Sequence, residues 1–148
     1  MKLKKIIPLV LLVVIGSIMA VRHNMYIIKY GGIKLEMPFA VNENINQDRL
    51  IATGNNTLLT IHHKDIDFNQ YKSKILEKSK SEMIINSSII DLKDKGKIFL
   101  VTTKLVDSGQ VLILYGYIES KQLFFTFSGN TDSINGFETA LRSVSFYN

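Results

Sequence analysis

The chain has 148 residues, no cysteine, no tryptophan and a formal charge of +5. The missing thiols exclude a disulfide framework, a thiol nucleophile, a Cys-ligated metal and the acylated cysteine of a bacterial lipoprotein. Of the 18 basic residues, Lys2, Lys4 and Lys5 precede everything else, leaving 15 against 13 acidic ones. Those 15 are interleaved with Asp and Glu, as in Asp91 to Lys97, so no single-sign stripe tracks phosphates and nucleic acid is not an expected partner.

The three lysines lead into an uninterrupted apolar run from Ile6 to Val21, closed by Arg22 and His23. Residues 1–24 therefore read as a signal peptide or an N-terminal membrane anchor. As a helix the run spans roughly 24 Å against a hydrocarbon core of about 30 Å. Pro8 sits near its start, where a first helical turn tolerates it. Gly16, Ser17 and Ala20 offer small residues to a peptidase, but Ile18 falls where the cleavage pattern wants a small side chain. Both outcomes stay open: anchored in the inner membrane facing the periplasm, or periplasmic after cleavage. The lysine bias keeps the N-terminus in the cytoplasm, so the remaining residues face outward.

Residues 25–148 form one expected domain, long enough for an ordinary core. Tyr26 to Tyr30 and Ile33 to Met37 read as short strands broken by Gly31-Gly32, and Pro38 stops the second. Asn42 to Asp48 is polar and irregular. Arg49 to Thr53 and Thr57 to His63 flank Gly54-Asn55-Asn56, which predicts a hairpin. A helix is predicted from Asp67 to about Asn86, capped by Asp67 with Gln70 three residues on. It gathers Phe68, Tyr71, Ile75, Leu76, Met83 and Ile84 on one face, which a sheet should meet.

Four antiparallel strands follow: Ser88 to Leu92, Lys97 to Val106, Val111 to Glu119 and Gln122 to Ser128. In the second of these the Phe99 face is the expected core side. The third and fourth are apolar at nearly every position, as in central strands covered on both faces. A last amphipathic helix repeats Ile134, Phe137, Leu141 and Val144. Its Glu138 and Arg142 contribute at most a few tenths of a kcal/mol. Each buried apolar side chain contributes roughly 1.5–3 kcal/mol, so packing decides whether this helix docks. The fold class is α+β: a single, mainly antiparallel sheet with a long middle helix and a C-terminal helix packed on it, preceded by the N-terminal hydrophobic helix.

Candidate chemistry is sparse. His62 and His63 are adjacent on a strand and so point to opposite faces, unable to share one ion. No H-x-H or carboxylate cluster supports a metal site. Ser128 and Ser108 precede glycines but lie in no G-x-S-x-G elbow. Glu119, Asp107 and Asp94 sit at hairpin ends with no pair held at glycosidase separation. Gly31-Gly32 lacks phosphate-loop spacing and bends the chain instead. No catalytic, metal or cofactor residue is assigned. The aromatic residues of the two apolar strands are the candidates for a binding groove: Tyr115, Tyr117, Phe125 and Phe127.

Several segments together carry a resemblance. They are Gly32-Ile33 leading into a strand that ends at Pro38, the capped helix from Asp67, the Phe-rich strand from Leu123 to Gly129, and the closing Leu141-Arg142-Ser143-Val144-Ser145-Phe146. In that order the chain after Tyr26 resembles the PsbP-like fold group, which includes small exported bacterial proteins. It departs from them after Pro38, where Phe39, Ala40 and Val41 stand in place of a nearby Trp, and in lacking a lipid-attachment Cys. The resemblance implies a non-enzymatic accessory or binding role in the cell envelope and transfers no active-site residues. The expected partners are an envelope protein and, through Ile6 to Val21, the membrane. Two alternatives stand beside it: an immunity or inhibitor protein against a periplasm-acting toxin, and a small hydrolase built on His62 or His63, Asp65 and a distant Ser or acid.

Overall fold

The structure, a computed structural model, describes residues 26–46, 48–78, 82–105 and 110–148. The leader and the apolar run from Ile6 to Val21 lie outside the described residues. Among those described, no helix is long and apolar enough to cross a membrane.

Among the described residues, ten strands and two α-helices build an α+β fold. β1 (Tyr26–Tyr30) and β2 (Ile33–Met37) form a hairpin whose two-residue loop, Gly31-Gly32, has φ of 58° and 81°. Glycine adopts that left-handed pair without the steric cost a Cβ brings. β3 (Asn42–Ile45) pairs with β4 (Arg49–Gly54), which turns through Asn55-Asn56 into β5 (Thr57–His63). Helix α1 (Phe68–Lys78) follows, then β6 (Glu82–Asp91), β7 (Lys97–Leu105), β8 (Leu112–Ile118) and β9 (Leu123–Gly129). Helix α2 (Thr131–Arg142) and β10 (Ser145–Phe146) close the chain.

These strands form two sheets rather than the single one expected. A seven-stranded antiparallel sheet runs β3-β4-β5-β9-β8-β7-β6, and a three-stranded one runs β1-β2-β10. The second sheet was hidden because two-residue β10 has no periodicity of its own; it exists only by pairing with Lys34 and Ile33 of β2. Likewise the polar segment at Asn42 is strand, held by its ladder with β4 rather than by its own propensity.

The main core lies between one face of the large sheet and a layer made of α2 and the small sheet. It joins Leu50, Leu59, Ile61, Phe125, Phe127, Leu114, Ile98 and Leu100 to Leu35, Met37, Ile134, Phe137 and Leu141. Asn130 caps α2, its side-chain Oδ1 accepting from the Ser133 amide at 2.9 Å. The opposite face carries a smaller cluster in which Tyr71 and Ile75 of α1 meet Val101, Tyr117 and Phe124. Central β8 and β9 are thus covered on both sides, which explains their continuous apolar sequence.

Two expectations need correction here. The predicted helix to Asn86 ends at Lys78, because Glu82–Asp91 is an edge strand paired with β7. Met83 and Ile84 stand eight residues after Ile75 and Leu76 and so mimic a helical face, but ladder pairing prevails over that periodicity. The N-terminal cap is as expected, with the Gln70 amide donating to Asp67 Oδ1 at 2.9 Å. In β7 the main core is met by Ile98 and Leu100, while Phe99 and Val101 turn toward α1. Both faces are apolar, so alternation alone could not say which was deeper.

Candidate functional site

Six interstrand spacings of about 4.8 Å make the large sheet roughly 29 Å wide, whereas an eleven-residue helix is about 16 Å long and 10–12 Å across. Helix α1 therefore cannot cover its face, and a groove opens along each flank. The larger, about 670 Å³, lies between α1 and the outer strands β6 and β7. The smaller, about 430 Å³, lies on the β5 and β9 side.

Strand register sets the floor of the larger groove. Ile89, Phe99 and Tyr117 lie abreast on neighbouring strands, with Ser87 and Val101 abreast in the next row. Helix α1 supplies Phe68, which stacks on Phe99 at 4.0 Å between centroids and lies nearly parallel to Tyr117 at 6.1 Å. Lys72 stands on the helix wall, and Asp67 and Glu119 line the end nearest Tyr117. Burial, then the Glu119 and Asp67 carboxylates, raise the Tyr117 hydroxyl above the usual phenol range. Both carboxylates thus bear on one hydroxyl.

The open border of this groove is β6, the outermost strand of the sheet among the described residues. Met83, Ile84, Ile85 and Ile89 are exposed by 58, 38, 49 and 59 %, and no other element among the described residues gathers as many exposed large apolar side chains. Edge strands are normally blunted by charge, yet between Glu82 and Asp91 this one carries none. Its start is pinned: Tyr115 donates its hydroxyl to Glu82 Oε1 at 2.9 Å, and Thr103 Oγ1 donates to Glu82 Oε2 at 2.6 Å. Tyr115 is held far above its ordinary value, first by burial and then by this acceptor.

The smaller groove is lined by His62, Lys64, Tyr71, Lys74, Ile75, Glu77, Tyr115 and Thr126. His62 stacks beside Phe124 at 6.1 Å, and its pKa is lowered, first by burial and then by Lys64, Arg49 and His63. Between the ordinary value near 6.5 and the lower folded value, the unfolded chain binds a proton that the folded one refuses, so stability falls as pH drops through about 6.5. Urea midpoints taken at about pH 7.5 and pH 5.5 should therefore separate for the native chain and draw together for His62→Asn. Unchanged separation in that variant would assign the pH dependence elsewhere.

The structure splits the four groove candidates. Tyr117 floors the larger groove and Tyr115 borders the smaller, both on the α1 face. Phe125 and Phe127 point the other way and are fully buried against Phe137. They line no groove, because adjacent positions on a strand serve opposite faces. Sequence reasoning did not single out Phe68, Ile89 or Phe99 for the site. Alternation puts Phe99 on the expected core side of its strand, and helical spacing puts Phe68 on a face that a sheet should bury.

His62 and His63 do fall on opposite faces. His63 borders a shallow depression with Lys64, Asp65 and Gln122, and its ring lies 6.2 Å from Tyr30. Ser128 lies in β9, paired with Leu58 and Ile113, and Asp94 is exposed in a turn. Asp107 and Ser108 lie outside the described residues. Among the described residues no three His, Asp or Glu side chains are grouped to hold a metal ion. No protein-family model matches the chain, and no curated protein matches it in sequence.

Proposed function

We propose that this chain is a PsbP-like accessory protein of the cell envelope that acts by protein contact rather than by catalysis. Its working surface is the β6 edge with the aromatic groove beside it. The observation that carries this reading is the concentration of exposed Met83, Ile84, Ile85 and Ile89 along one edge strand that carries no charge between its terminal Glu82 and Asp91, next to a groove floored by Phe99 and Tyr117. β6 is bent by a bulge between Ile84 and Asn86, but an apolar edge without charge is still a liability in solution unless a partner covers it. The lysine-led apolar run from Ile6 to Val21 supports delivery to the outer side of the inner membrane, as an anchored or a cleaved protein. The hydrolase reading has less support, since His63 and Asp65 share their depression with Lys64 and Gln122 and His62 faces away.

The test is affinity capture from solubilised membranes with the native chain and Ile89→Lys in parallel. Ile89 is exposed, so the lysine leaves the fold intact while placing a charge on the contact edge. A partner retained by the native chain and lost by the variant is expected. Equal recovery by both, or no reproducible partner for either, would refute the reading.

A further inference from the structure

The layer opposite α1 has an outer side of its own. In the small sheet Ile28, Leu35 and Met37 turn to the core, so by alternation Ile27, Lys29, Lys34 and Glu36 point away from it. Register sets Lys29 abreast of Lys34, and exposed Ile27 abreast of Glu36. Glu36 is the one acid in β1, β2 and β10, and Lys34 holds it at 3.2 Å. At the turn end of the sheet the Lys121 ammonium donates to the carbonyl of exposed Tyr147 at 3.3 Å. The carboxylates of Glu43 and Asp48 stand by Tyr26 and Tyr30, whose rings pack on the core side. The outward surface is therefore cationic, with an isoleucine and a tyrosine beside its lysines.

We infer that this outer side of the small sheet rests on anionic phospholipid headgroups, holding the α1 face and its groove away from the bilayer. The inference goes beyond the contact reading and rests on the anchored form of it. Arg22 to Met25 alone separate the apolar run from β1, and even fully extended the step from Val21 to Tyr26 spans about 18 Å. A span in the membrane thus keeps β1 close to the headgroups. The large sheet stands between the small sheet and α1, so the groove is on the remote side. Lysine ammoniums attract anionic lipid while their stems cover apolar surface, and tyrosine favours the membrane interface. On the neighbouring helix Asp132 and Glu138 outnumber Arg142 and are repelled by the same lipids, which tips the contact onto the sheet.

The chain has no cysteine, so a single introduced one can carry a fluorophore. Ile27→Cys, with Ser73→Cys on the exposed side of α1 as the control, is labelled in the full chain. Each is reconstituted into nanodiscs of phosphatidylethanolamine and phosphatidylglycerol that carry a headgroup spin label. Quenching at position 27 and none at position 73 is expected. Each lysine near an anionic surface shifts the ratio of docked to undocked domain about fivefold, so Lys29→Gln with Lys121→Gln should lower it about thirtyfold and restore the fluorescence. Discs of phosphatidylcholine should do the same. No quenching at position 27, equal quenching at position 73, quenching that survives the double variant or the neutral lipid, or failure of the native chain to enter the discs overturns the inference. Loss of the membrane partner by Ile89→Lys upholds the contact reading even where position 27 stays unquenched. Retention of that partner brings the contact reading down even where position 27 is quenched.

Discussion

Phe137→Ala should lower the unfolding free energy by about 3–5 kcal/mol. Phe137 is fully buried on α2, stacked face to face on Phe127 at 4.2 Å and edge-on to Phe125 at 5.6 Å. It is the side chain by which the terminal helix reaches the middle of the large sheet. Removing the ring forfeits its transfer free energy and leaves a void that Ile134 and Leu141, already buried in the same cluster, are not placed to fill. Domains of this size have only about 5–15 kcal/mol to lose, so the variant should unfold at far lower urea. Deleting the chain from Thr131 onward removes Ile134, Phe137, Ala140 and Leu141 together and should leave insoluble protein. A Phe137→Ala midpoint within error of the native one would show that α2 does not seal this core.

The second large effect is expected at Gly116. In a strand, glycine to alanine ordinarily stabilises by about 0.5–1 kcal/mol. Here the sign reverses. Gly116 lies opposite Phe125 on β9, and a Cβ at this position would come within 2.0 Å of the Phe125 ring tip. The ring cannot swing away freely, because Phe137 packs against it. Overpacking of this kind costs about 1–3 kcal/mol, and the depth of this overlap places Gly116→Ala at the upper end. Pairing it with Phe125→Leu, which vacates the space over the strand, should recover part of the loss and give a clear coupling term in a double-mutant cycle. Additive effects from the two substitutions would mean that the ring does not occupy the space above Gly116.

Both effects belong to the face sealed by α2 and the small sheet. The α1 face is held by less: Tyr71 and Ile75 above Val101, Tyr117 and Phe124, with Phe68 stacked at the helix start. A long edge and a short helix leave it open, and the groove exists because of that shortfall in cover. Had the helix run on to Asn86, as its apolar spacing suggested, it would have lain across the outer strands and taken β6 with it.

Local chemistry was legible wherever neighbouring residues decide the outcome. Asp67 followed by Gln70 marks a helix start whatever surrounds it, because the cap satisfies its own backbone amides. Asn55-Asn56 and Gly31-Gly32 fix two-residue turns through their tolerance of positive φ. Alternation in β7 and the repeat of Ile134, Phe137 and Leu141 disclosed a strand and a helix, and the adjacency of His62 and His63 placed them on opposite faces. Residues distant in sequence were decided only by folding. Whether Met83 and Ile84 continue a helix or border a sheet depends on β7, which offers a ladder. Whether Phe99 or Ile98 faces the deeper core depends on which helix lands on which side, and the same choice separates Tyr117 from Phe125. The meeting of Asp67 with Glu119 beside Tyr117 has no trace in local pattern, since a helix cap and a hairpin turn become neighbours only when α1 lies down on the sheet. Periodicity reports which side chains share a face; only tertiary packing determines what that face meets and how much of it stays open.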